Sequence, residues 1–485
     1  MDLLKGDLCF MGYFFCPKMK PSVRKGGILM ELREAVDLRK DQLLQSLQES
    51  IRIRSVKDTP ADDAPYGAGI RRCLDHALAT AKSLGFTAVD LDHQMGWCEY
   101  GEGDEMIAVL GHLDVVPEGE GWSFDPFGGE ITDGKVFGRG SMDDKGPTFA
   151  ALYALAALRD TGLPLKRRIR ILFGTNEETG SNDMKYYKSH GGELPVMGLT
   201  PDGEYPVING EKGIINVDFK GSYRQSGPVV LKEIYGGSAP NVVPASAFAE
   251  LDCPAELAKK LQSESSDTIL YIPTEHGVRI EAVGISAHGA TPELGVNAIG
   301  LLLGVLDRLP LSGKLAVHIH FLSDKIGMES SGAALGIALS DDPSGSLTFN
   351  LGTIQGNEQE LTVRINYRYP VTKRYEDCAP AVNRAFAGAG FQQVKETHKA
   401  CLYLPEDSEL VQTLLRVYAE KTGLPAIPKS IGGGTYAKTI PNVVAFGPIF
   451  PGDEVREHKP DEFIEVDRLM ENAQILAEAL YQLAK

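Results

Sequence analysis

The sequence predicts an α/β fold in three layers, a largely parallel sheet with helices on both faces, into which a second, α+β unit is inserted. Three observations carry this. Short apolar runs bounded by Gly alternate with amphipathic helical patterns from Glu31 onward, that texture gives way to alternating segments after about Pro206, and it resumes from about Leu402. At 485 residues the chain is also longer than the usual single domain, so more than one apolar core is expected.

Two amphipathic helical patterns, Glu31 to Ile53 and Ala68 to Leu84, come first. They precede Met106-Ile107-Ala108-Val109-Leu110, a short apolar run that suits a buried strand. A Gly, Pro and aromatic loop, Glu118 to Gly129, leads to Gly146–Leu158, whose Ala and Leu content predicts a buried helix. Arg168 to Phe173 and Val196 to Leu199 return to strand, and this alternation of strand and helix points to parallel pairing. The inserted unit carries strands at Gly213 to Phe219, Val278 to Ile285 and Gln359 to Tyr369, with a helix from Asn297 to Leu309. The last stretch holds a helix from Ser408 to Thr422, a strand from Asn442 to Phe446 and an amphipathic helix from Glu462 to Leu483. The chain thus divides into 1–29, 30–206, 207–400 and 401–485, the second and fourth parts forming one domain around the third.

Apolar residues make up 43% and charged residues 24% of the chain, ordinary values for a soluble protein. No run approaches the roughly 18 apolar residues that cross a bilayer. The net charge of −17 is spread along the chain and would repel phosphate backbones, which argues against nucleic acid as a partner. Seven cysteines without close pairing argue against a disulfide framework and a thiolate zinc site, and for a reducing, cytoplasmic setting. In residues 1–29 the apolar stretches are broken by Lys5 and Asp7, and no small-residue cleavage site follows. This segment is expected to be a disordered extension or a start site assigned too far upstream.

Five segments carry chemistry. Gly111-His112-Leu113-Asp114 follows the first buried strand, where ligands of open α/β sheets bind, and an Asp two residues after a His is suited to orient its ring. Taken alone, His112 reads equally well as an ordinary loop histidine. Gly138 to Gly146 contains the pair Asp143-Asp144 before a helix; one carboxylate caps a helix, whereas two this close repel unless a cation lies between them. Asn176-Glu177-Glu178 follows the strand ending at Phe173, a position where one carboxylate binds metal and its neighbour faces a reacting water. Asp202 follows another apolar run, and His458 follows the strand Asn442 to Phe446. Together these segments set His112, Asp143, Glu178, Asp202 and His458 along one sheet edge. Oxygen and imidazole donors without cysteine suit zinc, manganese or cobalt.

In order and approximate spacing, from about Met30 to the C-terminus, these segments resemble those of the metal-dependent aminoacylase and carboxypeptidase G-type peptidases (ArgE/DapE-like), and most of all the PepV- and Sapep-type dipeptidases within that family. The resemblance implies a catalytic domain with an inserted, ferredoxin-like lid, and two divalent metal ions, zinc foremost. It implies that His112 and Asp202 hold one ion, Glu178 and His458 the other, and that Asp143 bridges them through a segment with a cis Asp143–Asp144 peptide. Asp114 would orient His112, Glu177 would be the general base, and His288 of Ser286-Ala287-His288-Gly289 would reach from the lid to the scissile carbonyl. Asn241 would line the site, and Gly434 and Thr435 of Gly432-Gly433-Gly434-Thr435 would hold a substrate carboxylate with Arg368. Asn366 stands where the family often has an acidic residue two before that Arg, which leaves Arg364 as the alternative. The implied activity is hydrolysis of dipeptides or short peptides by a monomer, with a homodimer as the other arrangement. Deacylation of N-acyl amino acids and non-catalytic binding on the same fold are the rival readings.

Overall fold

The computed structural model describes residues 22–25 and 28–485, with side chains from residue 31 on. The expectation for residues 1–29 therefore lies outside the described residues, apart from a ribbon in which Ser22–Lys25 pairs antiparallel with Ile28–Glu31. The first domain is built on a nine-stranded sheet whose centre is parallel, in the order Val443–Ala445, Met197–Thr200, Met106–His112, Arg168–Gly174. Antiparallel strands extend it at both edges. On one side Met95–Tyr100 and Thr87–Leu91 form a hairpin that the sequence reading did not name. Asp92 and His93 turn it, both with positive φ, and so short a turn enforces antiparallel pairing.

The central strands are buried on both faces, which is why they read as continuous apolar runs rather than alternations. From Met106–His112, Ile107 and Val109 point into the larger core while Met106, Ala108 and Leu110 point into a smaller one with Met184, Tyr187 and Tyr436. The larger core is roofed by Ala68–Ser83, Lys145–Thr161 and Val466–Ala484. Lys145–Thr161 is buried nearly all round because Leu32–Asp37, Lys40–Ile51 and Val466–Ala484 pack on it in addition to the sheet. The expected three layers are present.

The inserted unit has its own core on an eight-stranded, wholly antiparallel sheet. Its strands run in the order Ile269–Pro273, Gly277–Val283, Ser246–Asp252, Val230–Gly236, Thr348–Asn357, Glu360–Tyr369, Gly213–Ser222, Phe391–Lys399. Asn297 caps the helix Ala298–Leu306 by accepting from the N–H groups of Ile299 and Gly300, and Ser408 caps Glu409–Thr422 in the same way. Ile208–Glu211, read from sequence as part of the insert, pairs instead in the first sheet with Leu402–Tyr403 and Lys429–Ile431, so the crossing into the insert falls at Lys212. Cys73, Cys98, Cys253, Cys378 and Cys401 are free thiols, and among the described residues no helix is long and apolar enough to cross a membrane.

Candidate active site

His112 closes the strand Met106–His112 with its ring 1% exposed. Its Nδ1–H donates to the carbonyl of Asp114 at 2.9 Å, which turns Nε2 toward the acidic groups beyond the strand end. There Nε2 lies 3.1 Å from Asp143 Oδ1 and 3.8 Å from Asp202 Oδ2. The other oxygen of Asp143 lies 2.9 Å from His458 Nε2, which in turn is 3.3 Å from Glu178 Oε1. Asp143 thus stands between two imidazoles with one oxygen against each. His458 adopts φ 59° and stays half exposed, the rest of the cluster being buried or nearly so.

The acidic neighbours hold one another in place. The Asp114 carboxylate is 3.6 Å from His112 Nδ1, but its hydrogen bonds come from the backbone N–H groups of Glu177 (3.1 Å) and Glu178 (3.2 Å). Its geometry fixes the Glu177–Glu178 turn, while the His112 ring is oriented by the Asp114 carbonyl. Asp144, joined to Asp143 by a cis peptide, sits at the N-cap of Lys145–Thr161 but its side chain caps no helix N–H; its Oδ2 accepts from His112 N–H at 3.1 Å and Thr148 Oγ1 at 3.0 Å.

Three polar residues that sequence reasoning missed complete this frame. Glu462 is fully buried and accepts from three backbone N–H groups around Asp143. Arg139 binds it. Asp183, also buried, accepts from Thr175 N–H (2.7 Å), Asn176 N–H (3.1 Å) and the Tyr436 hydroxyl, and so ties the segment leading to Glu177 and Glu178 to the glycine loop. Tyr436→Phe removes one donor from this buried carboxylate and is expected to cost about 1.5–3 kcal/mol of stability, read by denaturant unfolding of the metal-free protein.

Electrostatics separates this cluster from an ordinary acidic surface. Burial and the charge of Asp143 push the Asp202 carboxyl up to about 7, and burial raises Asp114 to about 7. Burial, with the charges of Asp202, Glu178 and Asp114, drives Glu177 well above the usual carboxylate range. Burial disfavours a charged His112, yet the carboxylates of Asp143, Asp202 and Asp144 push its pKa well above normal. Asp143 is the exception: burial opposes its charge, but the two imidazoles hold it far below the usual range. His112 Nε2 and Glu178 Oε1 are buried without a well-aligned hydrogen bond, and donor atoms of His112, Asp143 and Glu178 lie within 4.8 Å of one another. Crowded carboxylates that keep protons, beside imidazoles that gain them, are what divalent cations displace; the donor set fits such ions.

The inserted unit brings His288 over this cleft. Burial and the positive charges of Arg368 and His458 push its pKa down. Arg368 Nη2 lies 3.3 Å from His288 Nε2, its Nη1 donates to Gly432 O at 2.7 Å, and its Nε donates to Asn366 Oδ1 at 3.2 Å. Among the described residues Arg368 has no carboxylate partner, although it is only 3% exposed, and burial pulls its pKa down to about 10. Arg364 makes a two-pronged ion pair with Asp218, at 2.6 and 2.7 Å. Asn241 is exposed beside His288, its carbonyl accepting from Gly289 N–H at 2.7 Å. Thr435 differs from its expected part: its N–H and hydroxyl both donate to the buried Glu211, at 3.1 and 2.8 Å, so neither is free for a ligand. Gly434 precedes it in the same turn, against the Lys438 side chain.

A three-layer α/β domain with an imidazole and carboxylate cluster at its strand ends, roofed by an inserted antiparallel unit, defines a class of metal-dependent enzyme. Residues 108–482 match peptidase family M20/M25/M40, and the chain belongs to that family of metallopeptidases, as the resemblance of its segments implied. It is 38% identical to YtjP of Bacillus subtilis (strain 168) over 92% of this chain and 98% of that one. It is 34% identical to the Beta-Ala-Xaa dipeptidase of Lactobacillus delbrueckii subsp. lactis over 94% and 99%. The fold is shared with the crystal structure of aminoacylhistidine dipeptidase from Vibrio alginolyticus, with a TM-score of 0.59, 16% identity and coverage of 91% and 96%.

Proposed function

We propose that this enzyme is a dinuclear metal-dependent dipeptidase. The observation that carries the reading is Asp143, with one oxygen 3.1 Å from His112 Nε2 and the other 2.9 Å from His458 Nε2. His112 and Asp202 would hold one divalent ion, Glu178 and His458 the second, and Asp143 both. A pair of zinc or manganese ions there supplies Lewis acidity for the scissile carbonyl and lowers the pKa of the attacking water. The Beta-Ala-Xaa dipeptidase named among the relatives supports the substrate class.

The chain's own groups do the rest. Glu177 is held by its backbone to Asp114, takes a proton from the water as its oxygen bonds to the carbonyl carbon, and returns it to the amine as the C–N bond breaks. His288 donates to the developing oxyanion. Because guanidinium only donates, the Arg368 contact makes Nε2 of His288 the acceptor and leaves Nδ1–H as the donor, consistent with the lowered pKa of the ring. Arg368, buried and without a carboxylate partner among the described residues, and the Gly432–Gly434 turn meet the substrate's C-terminal carboxylate, with Asn241 at the cleft margin. Thr435 serves by clamping Glu211 beneath that turn.

Arg368→Ala is therefore expected to raise KM for dipeptides by roughly 10–150-fold, the worth of a charge-assisted hydrogen bond, whereas Arg364→Ala leaves KM within about twofold. Steady-state kinetics of the two variants checks it. The function itself is tested on a panel of dipeptides and N-acetyl or N-succinyl amino acids, with zinc, with manganese and with chelator. Dipeptide turnover that chelator abolishes is expected. Preference for the acyl amino acids, or metal uptake without hydrolysis, would overturn the reading.

A further inference from the structure

The loops that carry His112, Asp143 and His458 are three separate segments of the chain, the last far from the other two in sequence, and one buried ion pair touches all three. Glu462 and Arg139 are 0% and 1% exposed. Glu462 Oε1 accepts from the N–H groups of Gly140 (3.0 Å), Met142 (3.0 Å) and Asp143 (3.2 Å), while its Oε2 accepts from Arg139 Nη1 at 2.6 Å. Arg139 then reaches outward. Its Nη1 donates to Lys459 O, beside His458, at 3.3 Å; its Nη2 donates to Glu118 O at 3.2 Å and Pro117 O at 3.5 Å, on the segment leading away from His112. The guanidinium carbon lies over the Trp122 ring, 5.2 Å from its centroid, and the Trp122 Nε1–H donates to the same Glu118 carbonyl at 2.7 Å.

We infer that the Arg139–Glu462 pair is a positioning device that holds the three ligand-bearing loops in register for metal. The acceptor carboxylate sets the backbone of the Asp143 turn, and the planar fork of Arg139 fixes the two histidine loops against it, a set of simultaneous contacts that a lysine ammonium does not reproduce. Neither residue approaches the cluster as a ligand, so its effect passes through the geometry of others. Outer partners of this kind commonly govern metal affinity. A plain structural ion pair would serve the fold equally everywhere; this one spends all its hydrogen bonds on the backbone of ligand loops and on each other.

The inference rests on the ligand assignment proposed above, and one experiment separates the two. Metal-free wild type, Glu462→Gln, Arg139→Lys and a core control, Leu480→Ala, are titrated with Zn²⁺ or Mn²⁺ against a chromophoric chelator, below the unfolding midpoint of each metal-free protein. Glu462→Gln keeps an acceptor for the three N–H groups but turns an amide toward Arg139, and Arg139→Lys keeps the charge but loses the fork. Both are expected to bind metal about 10–100-fold more weakly than wild type, with Leu480→Ala unchanged despite its lower midpoint. Wild-type affinity in both pair variants, or an equal loss in the core control, overturns the positioning role. So does failure of both pair variants to fold without metal, since the pair would then serve the fold and not the site. No metal uptake by wild type would overturn the ligand assignment instead.

Discussion

Glu177→Ala is expected to lose about 10²–10⁴-fold in kcat on a dipeptide while keeping its metal content and nearly its KM. The separation follows from how the residue is held. Its backbone N–H is bound by Asp114 Oδ1 and that of Glu178 by Asp114 Oδ2, so the turn keeps its shape when the Glu177 side chain is removed. What disappears is the carboxylate proposed to accept and return the proton. Burial and the charges of Asp202, Glu178 and Asp114 raise its basicity above that of an exposed glutamate. Turnover and elemental analysis on the same preparation decide the matter. Near-normal hydrolysis, or loss of metal in step with activity, removes Glu177 from the role of base.

Asp143→Asn should be costlier still. The amide keeps the shape of the side chain but not the charge that both imidazoles face, at 3.1 and 2.9 Å. Metal stoichiometry is expected to fall at both sites, and activity by on the order of 10⁴-fold or more, because several kcal/mol of transition-state stabilisation go with the ions. His112→Ala, by contrast, should spare the ion proposed to bind at Glu178 and His458. A variant at position 143 that keeps full metal and turnover would dissolve the two-ion arrangement.

Much of the fold was legible because the central strands end where their apolar runs end. Met106–His112 and Arg168–Gly174 break directly into His112 and into the Glu177–Glu178 turn, so the carboxyl edge of the sheet declared itself through composition. The supporting residues did not. Arg139 and Glu462 are 323 positions apart, and Asp183 and Tyr436 are 253 apart; each reads locally as an unremarked polar residue, and only tertiary approach makes them pairs. The choice between Arg364 and Arg368 was open for a similar reason. Both alternate onto the same side of the strand Glu360–Tyr369, and what separates them is the neighbour across the sheet: Asp218 opposite Arg364, Ile214 opposite Arg368. The hairpin Thr87–Tyr100 was overlooked because its strands, the outer one at the sheet edge, are only partly buried and lack the apolar density of the central ones.

The strand Val443–Ala445 sits between Met197–Thr200 and Ile208–Glu211, although it is made long after both. During synthesis the inserted unit, whose strands run from Gly213 to Lys399, has every piece of its sheet in hand while the domain around it still lacks a middle strand and the helix Val466–Ala484. The roof is therefore ready before the house. Until the last part of the chain emerges, the half-built sheet exposes the flank of Met197–Thr200 as a bare edge, a template for unwanted strand pairing. Late closure by the same segment that delivers His458 means that the enclosing core and the imidazole–carboxylate cluster are completed together.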